Sequence, residues 1–314
     1  MRLGSQSFRA MGAACSISVY AQTNAEALAR IGAQRVELLE QSWSRFRDTS
    51  ELNRLNARAG TGPVEVSADL LTLLRHMQQA WELTDGLFDP TLLSVIKAAG
   101  YDADFATVIA RDALASVQSW KAPHRSHGMV DVIIDMAAST VSLPAGVGLD
   151  PGAIGKGLAA DIIAGEIMSA GAQGVLVDLG GDIVVAGQPG ADEAWVIAIE
   201  DERDPDNADR EPMLVTFEAD GGTSAIATSS TLYRRWAGGT RHHVIDPRTG
   251  RMAEPELVQA TVWCSTGWLA EVSATAALLM SADDARTWLQ QHQLGYTLMT
   301  PTSVLSSLVG VEHV

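Results

Sequence analysis

The sequence predicts an α+β fold built in layers, with helices flanking a mixed or antiparallel sheet. Helical and strand-like periodicities are mixed along the chain without the strict strand–helix alternation of a doubly wound parallel sheet. The 314 residues are 46% apolar and 19% charged, enough for a sizeable core in one large domain or two intimate ones. No repeat, low-complexity tract or linker divides the chain, so residues 1–314 read as a single domain.

Phe8 to Ala21 alternates into a strand. Asn24 is placed to cap a helix running to about Trp43, with Ala27, Leu28, Ile31, Val36, Leu38 and Leu39 on its apolar stripe. Ser44-Arg45-Phe46-Arg47-Asp48 and Ser50 to Asn56 form a polar stretch with apolar anchors, a structured loop or short helix. Ser67 caps a second helix running to Thr84, with Leu70, Leu71, Leu74, Met77 and Trp81 inward. Asp85 to Thr91 turns the chain: Asp89 before Pro90 is biased to an extended conformation, and Thr91 begins a short helix. Residues 102–119 are amphipathic and helical, and Val130 to Leu143 reads as a hairpin.

Strands are expected at Gly174–Leu179, Ile183–Ala186, Trp195–Glu200, Met213–Phe217 and Ser224–Thr228. Asp201 to Pro212 is a charged loop. Arg241 to Gly250 is a strand running into an Asp-Pro and Gly turn. Leu257–Cys264 is a strand, Gly267–Met280 and Ala282–His292 are helices, and Tyr296–Thr300 is the last clear strand.

The chain is organised around Leu149 to Asp161, which lies between strand-like runs. Pro151 suits the first turn of a helix, and apolar residues recur at helical spacing from Ile154 to Met168. Three glycines strip that start of side chains and expose backbone N–H groups at the positive end of the helix dipole, an arrangement suited to phosphate. Asp150 and Lys156 place both signs of charge there. Two familiar nucleotide motifs fail. Gly157 follows Lys156 where a P-loop requires Ser or Thr for Mg²⁺. The stretch also lies at mid-chain, not in the first βα turn of a dinucleotide-binding unit.

A net charge of −16 argues against nucleic acid or an anionic membrane as partner. It also requires a local counter-charge, such as a metal ion, for any anionic ligand. Cys15 and Cys264 sit in strand-like apolar runs and read as buried thiols. No run approaches a membrane span, and Met1 to Tyr20 lacks the apolar region of a signal peptide. Gly12-Ala13-Ala14-Cys15 has the small residues of a lipoprotein cleavage site, but Ser7 and Arg9 break any apolar segment before it. The expected compartment is cytoplasmic.

Three constellations carry chemistry. Glu271 and Thr275 lie four apart on a helix and face one side, offering hard oxygens to Mg²⁺ or, in the plainer alternative, an ordinary helix with an exposed Glu. His243 is a candidate general base, and His242 points to the opposite strand face. Thr228-Ser229-Ser230 is a hydroxyl-rich strand end that serves a ligand or a turn. HExxH and CxxC are absent, so a zinc site is not expected.

Taken in order, eight pieces resemble the ApbE family of FAD:protein FMN transferases. They are Met11-Gly12, Ser44-Arg45-Phe46 with Ser50 to Asn56, Gly86 to Thr91, Asp150 to Asp161, Asp178-Leu179-Gly180-Gly181-Asp182, Ala227-Thr228-Ser229, His243 to Gly250 and Ala270 to Thr275. The resemblance spans about residues 8–300. It implies a layered architecture similar to the T-fold. It also implies an enzyme that uses FAD and Mg²⁺ to transfer FMN to a threonine hydroxyl of an acceptor flavoprotein, releasing AMP. By resemblance, Met11, Asp85, Gly86, Leu87, Asp150, Lys156, Thr228 and Val258 would contact FAD. The Ala153 carbonyl, Glu271 and Thr275 would hold the metal, and His243 would accept the proton of the attacking hydroxyl. Two departures stand out. The metal helix of the family usually reads Ala-Asp, and here it reads Ala270-Glu271. A family Gly is replaced by Ser230. These departures motivate one alternative, an FAD-binding protein with weak or no transfer, and the resemblance itself allows another, a pyrophosphatase giving FMN and AMP.

Overall fold

The computed structural model describes residues 1–112, 121, 123, 127–190, 193–204, 212–218 and 222–307. In chain order the elements of the first half are β1 (Arg2–Ala10), β2 (Ala13–Ala21), α1 (Ala25–Trp43), α2 (Glu51–Asn56), β3 (Val64–Glu65), α3 (Ala68–Leu83), α4 (Leu93–Ala98), α5 (Phe105–Asp112), β4 (Ile133–Asp135), β5 (Thr140–Ser142) and α6 (Gly155–Ser169). Then come β6 (Gly174–Leu179), β7 (Ile183–Gly187), β8 (Trp195–Ile199), β9 (Met213–Phe217), β10 (Thr223–Ser230), β11 (Arg235–Trp236), β12 (Arg241–His242), β13 (Ile245–Asp246) and β14 (Arg251–Met252). The last are β15 (Gln259–Cys264), α7 (Gly267–Ala277), α8 (Ala282–Gln291), β16 (Gly295–Met299) and β17 (Val304–Ser306). They form two compact units, residues 1–37, 156–232 and 255–314 in the first and residues 38–155 and 233–254 in the second.

The first unit is built on an eight-stranded sheet in the order β1-β2-β6-β7-β10-β15-β16-β17. Every pairing in it is antiparallel. The expected α+β class holds. Because side chains alternate across a strand, neighbouring residues serve opposite faces. Val184 of β7 lies beneath Gly267 of α7 on one face. Val185, Ile226, Trp263 and Met299 pack on the other face, against Trp195 and Phe217 of the β8–β9 ribbon.

Several expectations shift for identifiable reasons. Phe8–Ala21 is not one strand but the end of a hairpin that begins at Arg2, paired from Arg2↔Ala21 to Ala10↔Ala13. Its turn residues Met11 and Gly12 have φ of 50° and 73°, as a two-residue type I′ connection requires. In α1 the inward positions are Ala25, Ala29, Gly32, Val36, Leu39 and Trp43, whereas Ile31 and Leu38 are exposed. Gly32 explains the rotation: a Cβ there would lie 2.9 Å from both Ile17 and Ile167. At this point the helix turns its smallest residue to its neighbours and leaves Ile31 outside. α7 ends at Ala277, and β17 follows the strand that had seemed the last.

The second unit holds α2 to α5 and the three-stranded sheet β3-β5-β4. Ser67 caps α3 by accepting the Leu70 N–H at 3.2 Å, as expected. Thr91 instead precedes α4, its N–H and hydroxyl both donating to Asp89 Oδ1 at 2.9 and 2.5 Å. A core of Val95, Ile96, Tyr101, Trp236 and Ile245 fixes the short ladders β11–β12 and β13–β14. The Trp236 indole donates to the Ala99 carbonyl at 3.0 Å. The helix expected over 102–119 is seen as α5, and residues 113–119 lie outside those described.

Candidate functional site

In the first unit the site is organised by two helix starts that touch. α6 does not begin at Pro151 but at Gly155, so Gly155 and Gly157 line its first turn and Gly152 precedes it. A Cβ on Gly157 would lie 2.3 Å from the Gly267 carbonyl oxygen, and one on Gly267 would lie 2.5 Å from that of Gly157. Backbones this close leave no room for any side chain at either position. Asp161, in the second turn of α6, accepts the first N–H groups of α7, from Gly267 at 2.7 Å and Trp268 at 3.0 Å. Burial raises the Asp161 pKa to about 6 against these two stabilising hydrogen bonds, and the Glu271 charge adds to the rise.

Glu271 is buried on α7, which removes the exposed-helix alternative. Its Oε2 accepts the Gly157 N–H at 2.8 Å, and its Oε1 lies 3.7 Å from the Lys156 ammonium. Lys156 also pairs with Asp182, whose side chain is 2% exposed. At the start of α6 two buried carboxylates therefore flank one partly exposed lysine. Thr275, one turn beyond Glu271, shares a 2.8 Å hydrogen bond with Ser229. Thr228 shares another of 2.8 Å with Thr261. Val258 receives the Thr231 N–H on its carbonyl at 3.0 Å. Met11 stands at the tip of the β1–β2 hairpin.

The second unit holds Asp85, Gly86, Leu87, Asp150, Ala153 and His243. Asp85 and Gly86 take φ of 49° and 78° in the turn that ends α3, closed by the Gly86 N–H on the Trp81 carbonyl at 2.9 Å. Asp150 accepts the Gly152 N–H on Oδ1 at 2.9 Å and the Arg45 Nε on Oδ2 at 3.2 Å. Ala153 follows with φ 68°. Asn56 grips the backbone before this turn at both polar groups, accepting the Leu149 N–H at 2.8 Å and donating to the Leu149 carbonyl at 3.0 Å. Asn53 gathers the carbonyls of Arg45 and Arg47, each at 3.0 Å. The polar run from Ser44 to Asn56 thus braces the turn at Asp150.

His242 is buried, with Nε2 3.0 Å from the Ala253 carbonyl. Burial lowers its pKa. His243 lies just past β12 and is half-buried.

Sequence reasoning did not assign roles to Asp182, which pairs with Lys156, to Arg45, which pairs with Asp150, or to Asp161, which accepts the first N–H groups of α7. Asp182 and Asp161 lay inside motifs it had quoted, but their partners are distant in sequence. The donors Glu271 and Thr275 are hard oxygens one helical turn apart, a chemistry that suits Mg²⁺. Among the described residues no group of three His, Cys, Asp or Glu side chains forms a cage. A metal held by Glu271 and Thr275 would need further ligands from carbonyls, water or a phosphate.

The fold and site define an α+β protein whose glycine-crossed helix starts present carboxylate, ammonium and hydroxyl groups together. The model of the ApbE family matches residues 11–299, and the chain belongs to that family. It is 29% identical over 294 residues to the FAD:protein FMN transferase of Treponema pallidum, covering 90% of this chain and 80% of that protein. It is 26% identical over 270 residues to the protein of the same name from Vibrio cholerae, covering 85% and 77%. The crystal structure of the ApbE protein of Thermotoga maritima superposes with a TM-score of 0.82 at 22% identity, covering 99% of this chain and all of that one, a likeness of fold.

Proposed function

We propose that the chain is an FAD:protein FMN transferase that acts with Mg²⁺ on a threonine hydroxyl of an acceptor flavoprotein and releases AMP. The family match over residues 11–299 carries this reading. In the reaction a bond forms between the threonine oxygen and the FMN phosphorus. The phosphoanhydride bond to AMP breaks, and the hydroxyl proton passes to His243. Lys156 and the N–H groups at the start of α6 offset the pyrophosphate charge. Met11, Asp85, Gly86, Leu87, Asp150, Thr228 and Val258 line the FAD. Glu271, Thr275 and the Ala153 carbonyl would hold Mg²⁺, whose role is to withdraw charge from phosphoryl oxygens. In this reading residues 1–314 work as one transferase domain. The partners are FAD and the acceptor, with no nucleic acid and no membrane insertion. Among the described residues no helix is long and apolar enough to cross a membrane. Cys15 and Cys264 form no disulfide, which suits the reducing cytoplasm as the proposed compartment.

One observation favours a second reading, FAD binding or hydrolysis to FMN and AMP without transfer. The Glu271 carboxylate is already engaged by the Gly157 N–H and the Lys156 ammonium. Incubation with FAD, Mg²⁺ and candidate flavoproteins, followed by intact-mass measurement, separates them. Transfer adds the mass of an FMN phosphoester to the acceptor. AMP release with no change in any acceptor supports the second reading, and failure to bind FAD overturns both.

A further inference from the structure

Arg45 sits in the second unit under four constraints. Its guanidinium carbon lies 4.0 Å from the Phe46 ring centroid and 4.5 Å from that of Tyr101. Its Nη1 donates to the Tyr101 carbonyl at 2.8 Å, and its Nε faces Asp150 Oδ2 at 3.2 Å. The backbone is held as well, because Asn53 Nδ2 donates to the Arg45 carbonyl at 3.0 Å. The side chain is 6% exposed, so this is not a mobile surface pair. A planar fork fixed by two rings and a carbonyl has one direction left for Nε, and that direction is Asp150.

Asp150 is tied on its other side to the turn that leads into α6. Its Oδ1 accepts the Gly152 N–H at 2.9 Å, and its own N–H donates to the Pro90 carbonyl at 2.8 Å. Beyond it Ala153 takes φ 68°, and the Gly155 N–H closes on the Pro151 carbonyl at 2.9 Å. With Oδ2 held, the carboxylate cannot rotate away from Gly152. Each oxygen keeps a further lone pair for a ligand donor.

We propose that Arg45 is a positioning residue for flavin-nucleotide binding, acting through Asp150 to hold the Pro151–Gly155 turn in its binding conformation. The proposal rests on the FAD-binding reading given above, and its test includes a measurement that needs no FAD.

The test is a double-mutant cycle in the full chain with Arg45→Met, Asp150→Asn and both together. Met keeps an apolar stem for the two rings and removes the fork. Amide hydrogen exchange of residues 149–155 is followed in the ligand-free protein, and FAD affinity by flavin fluorescence. Each single variant should speed exchange in this segment and weaken FAD binding by about tenfold. The double variant should be no more than about twofold worse than the poorer single one, because both changes break one linkage. Effects that multiply in the double variant overturn the proposal, since Arg45 then acts on its own. Unchanged exchange in Arg45→Met overturns it too. Should Arg45→Met not fold, Arg45→Lys replaces it in the cycle and is read by the same criteria. If the wild type binds no FAD, the functional reading fails while the exchange cycle still decides whether Arg45 sets the turn.

Discussion

Lys156 has two candidate roles, counter-ion to a bound pyrophosphate and counter-ion to the protein itself, and Lys156→Met separates them. The Lys156 side chain is 21% exposed, while the Asp182 and Glu271 side chains beside it are 2% and 5% exposed. Opposite charges about 4 Å apart attract by about 4 kcal/mol at an effective dielectric of about 20. Removing one partner of a buried pair costs about 3–5 kcal/mol, because the remaining charge is stranded. Since Lys156 reaches solvent, a loss near the lower end, about 3 kcal/mol, is expected for Lys156→Met. Urea unfolding at pH 7, followed by tryptophan fluorescence, measures it as a lower midpoint at unchanged slope.

Adding Asp182→Asn to Lys156→Met removes one stranded carboxylate and leaves Glu271 with the Gly157 N–H. At least half of the lost stability should return. FAD affinity should not return, because the pyrophosphate still lacks its ammonium. A loss of about tenfold or more is expected in both variants, from a charge-assisted hydrogen bond of about 1.5–3 kcal/mol. If Lys156→Met unfolds within about 0.5 kcal/mol of wild type, the internal role is refuted. If the double variant regains FAD affinity, the pyrophosphate role is refuted.

Three further outcomes follow. Gly267→Ala puts a methyl carbon 2.5 Å from the Gly157 carbonyl oxygen, so the helix starts must part at a cost of about 1–3 kcal/mol or more, and an unchanged melting temperature would contradict the crossing. Asp161 holds its proton up to about pH 6 in the folded state, above its ordinary 3.8, so its contribution to stability is full below pH 4 and lost as pH rises to 6. That loss is about 3 kcal/mol, and wild type should lose ground to Asp161→Asn across this window in urea titrations; a constant difference would reject the shift. His243→Ala should slow FMN transfer by about 10²-fold or more while sparing FAD binding, whereas His242→Ala should chiefly lower stability; equal small effects on transfer would return both to structural roles.

The fold was legible wherever burial follows periodicity. β6, β9 and β15 fell close to their observed limits because short, largely apolar runs rich in β-branched and aromatic residues admit few other readings. In α1 the sequence placed Val36 and Leu39 correctly but Ile31 and Leu38 wrongly, because part of its contact side is set by Ala29 and Gly32, which carry no strong apolar signal. In the site, Lys156 and Glu271 were found, but not what holds them. The Gly157–Gly267 approach and the pairs Lys156–Asp182 and Arg45–Asp150 join segments far apart in sequence. Nothing local marks such partners. The glycines were visible as a bare helix start, but only the fold shows that the space they leave is filled by another backbone.

Backbone conformation supplies an independent argument about which positions are kept for use. Among the described residues eight that are not glycine have positive φ. Three of them, Met11, Asp85 and Ala153, are residues assigned to the site by resemblance alone. A left-handed conformation costs an L-residue about 1–2 kcal/mol, and glycine avoids that cost. At Met11 the neighbouring turn position is already Gly12, so a glycine pair would satisfy the hairpin at lower strain. The turn itself does not call for a long side chain there. The same reasoning separates Ala153 from Met11. A methyl group offers little to a ligand, so what the φ of 68° sets at Ala153 is the direction of its peptide groups, and a role for this residue runs through the backbone. Asp85 has a carboxylate to offer in addition to its turn. Three residues that look unrelated in sequence are thus of one kind in the fold, positions where the backbone of a residue other than glycine is held in an unfavourable region.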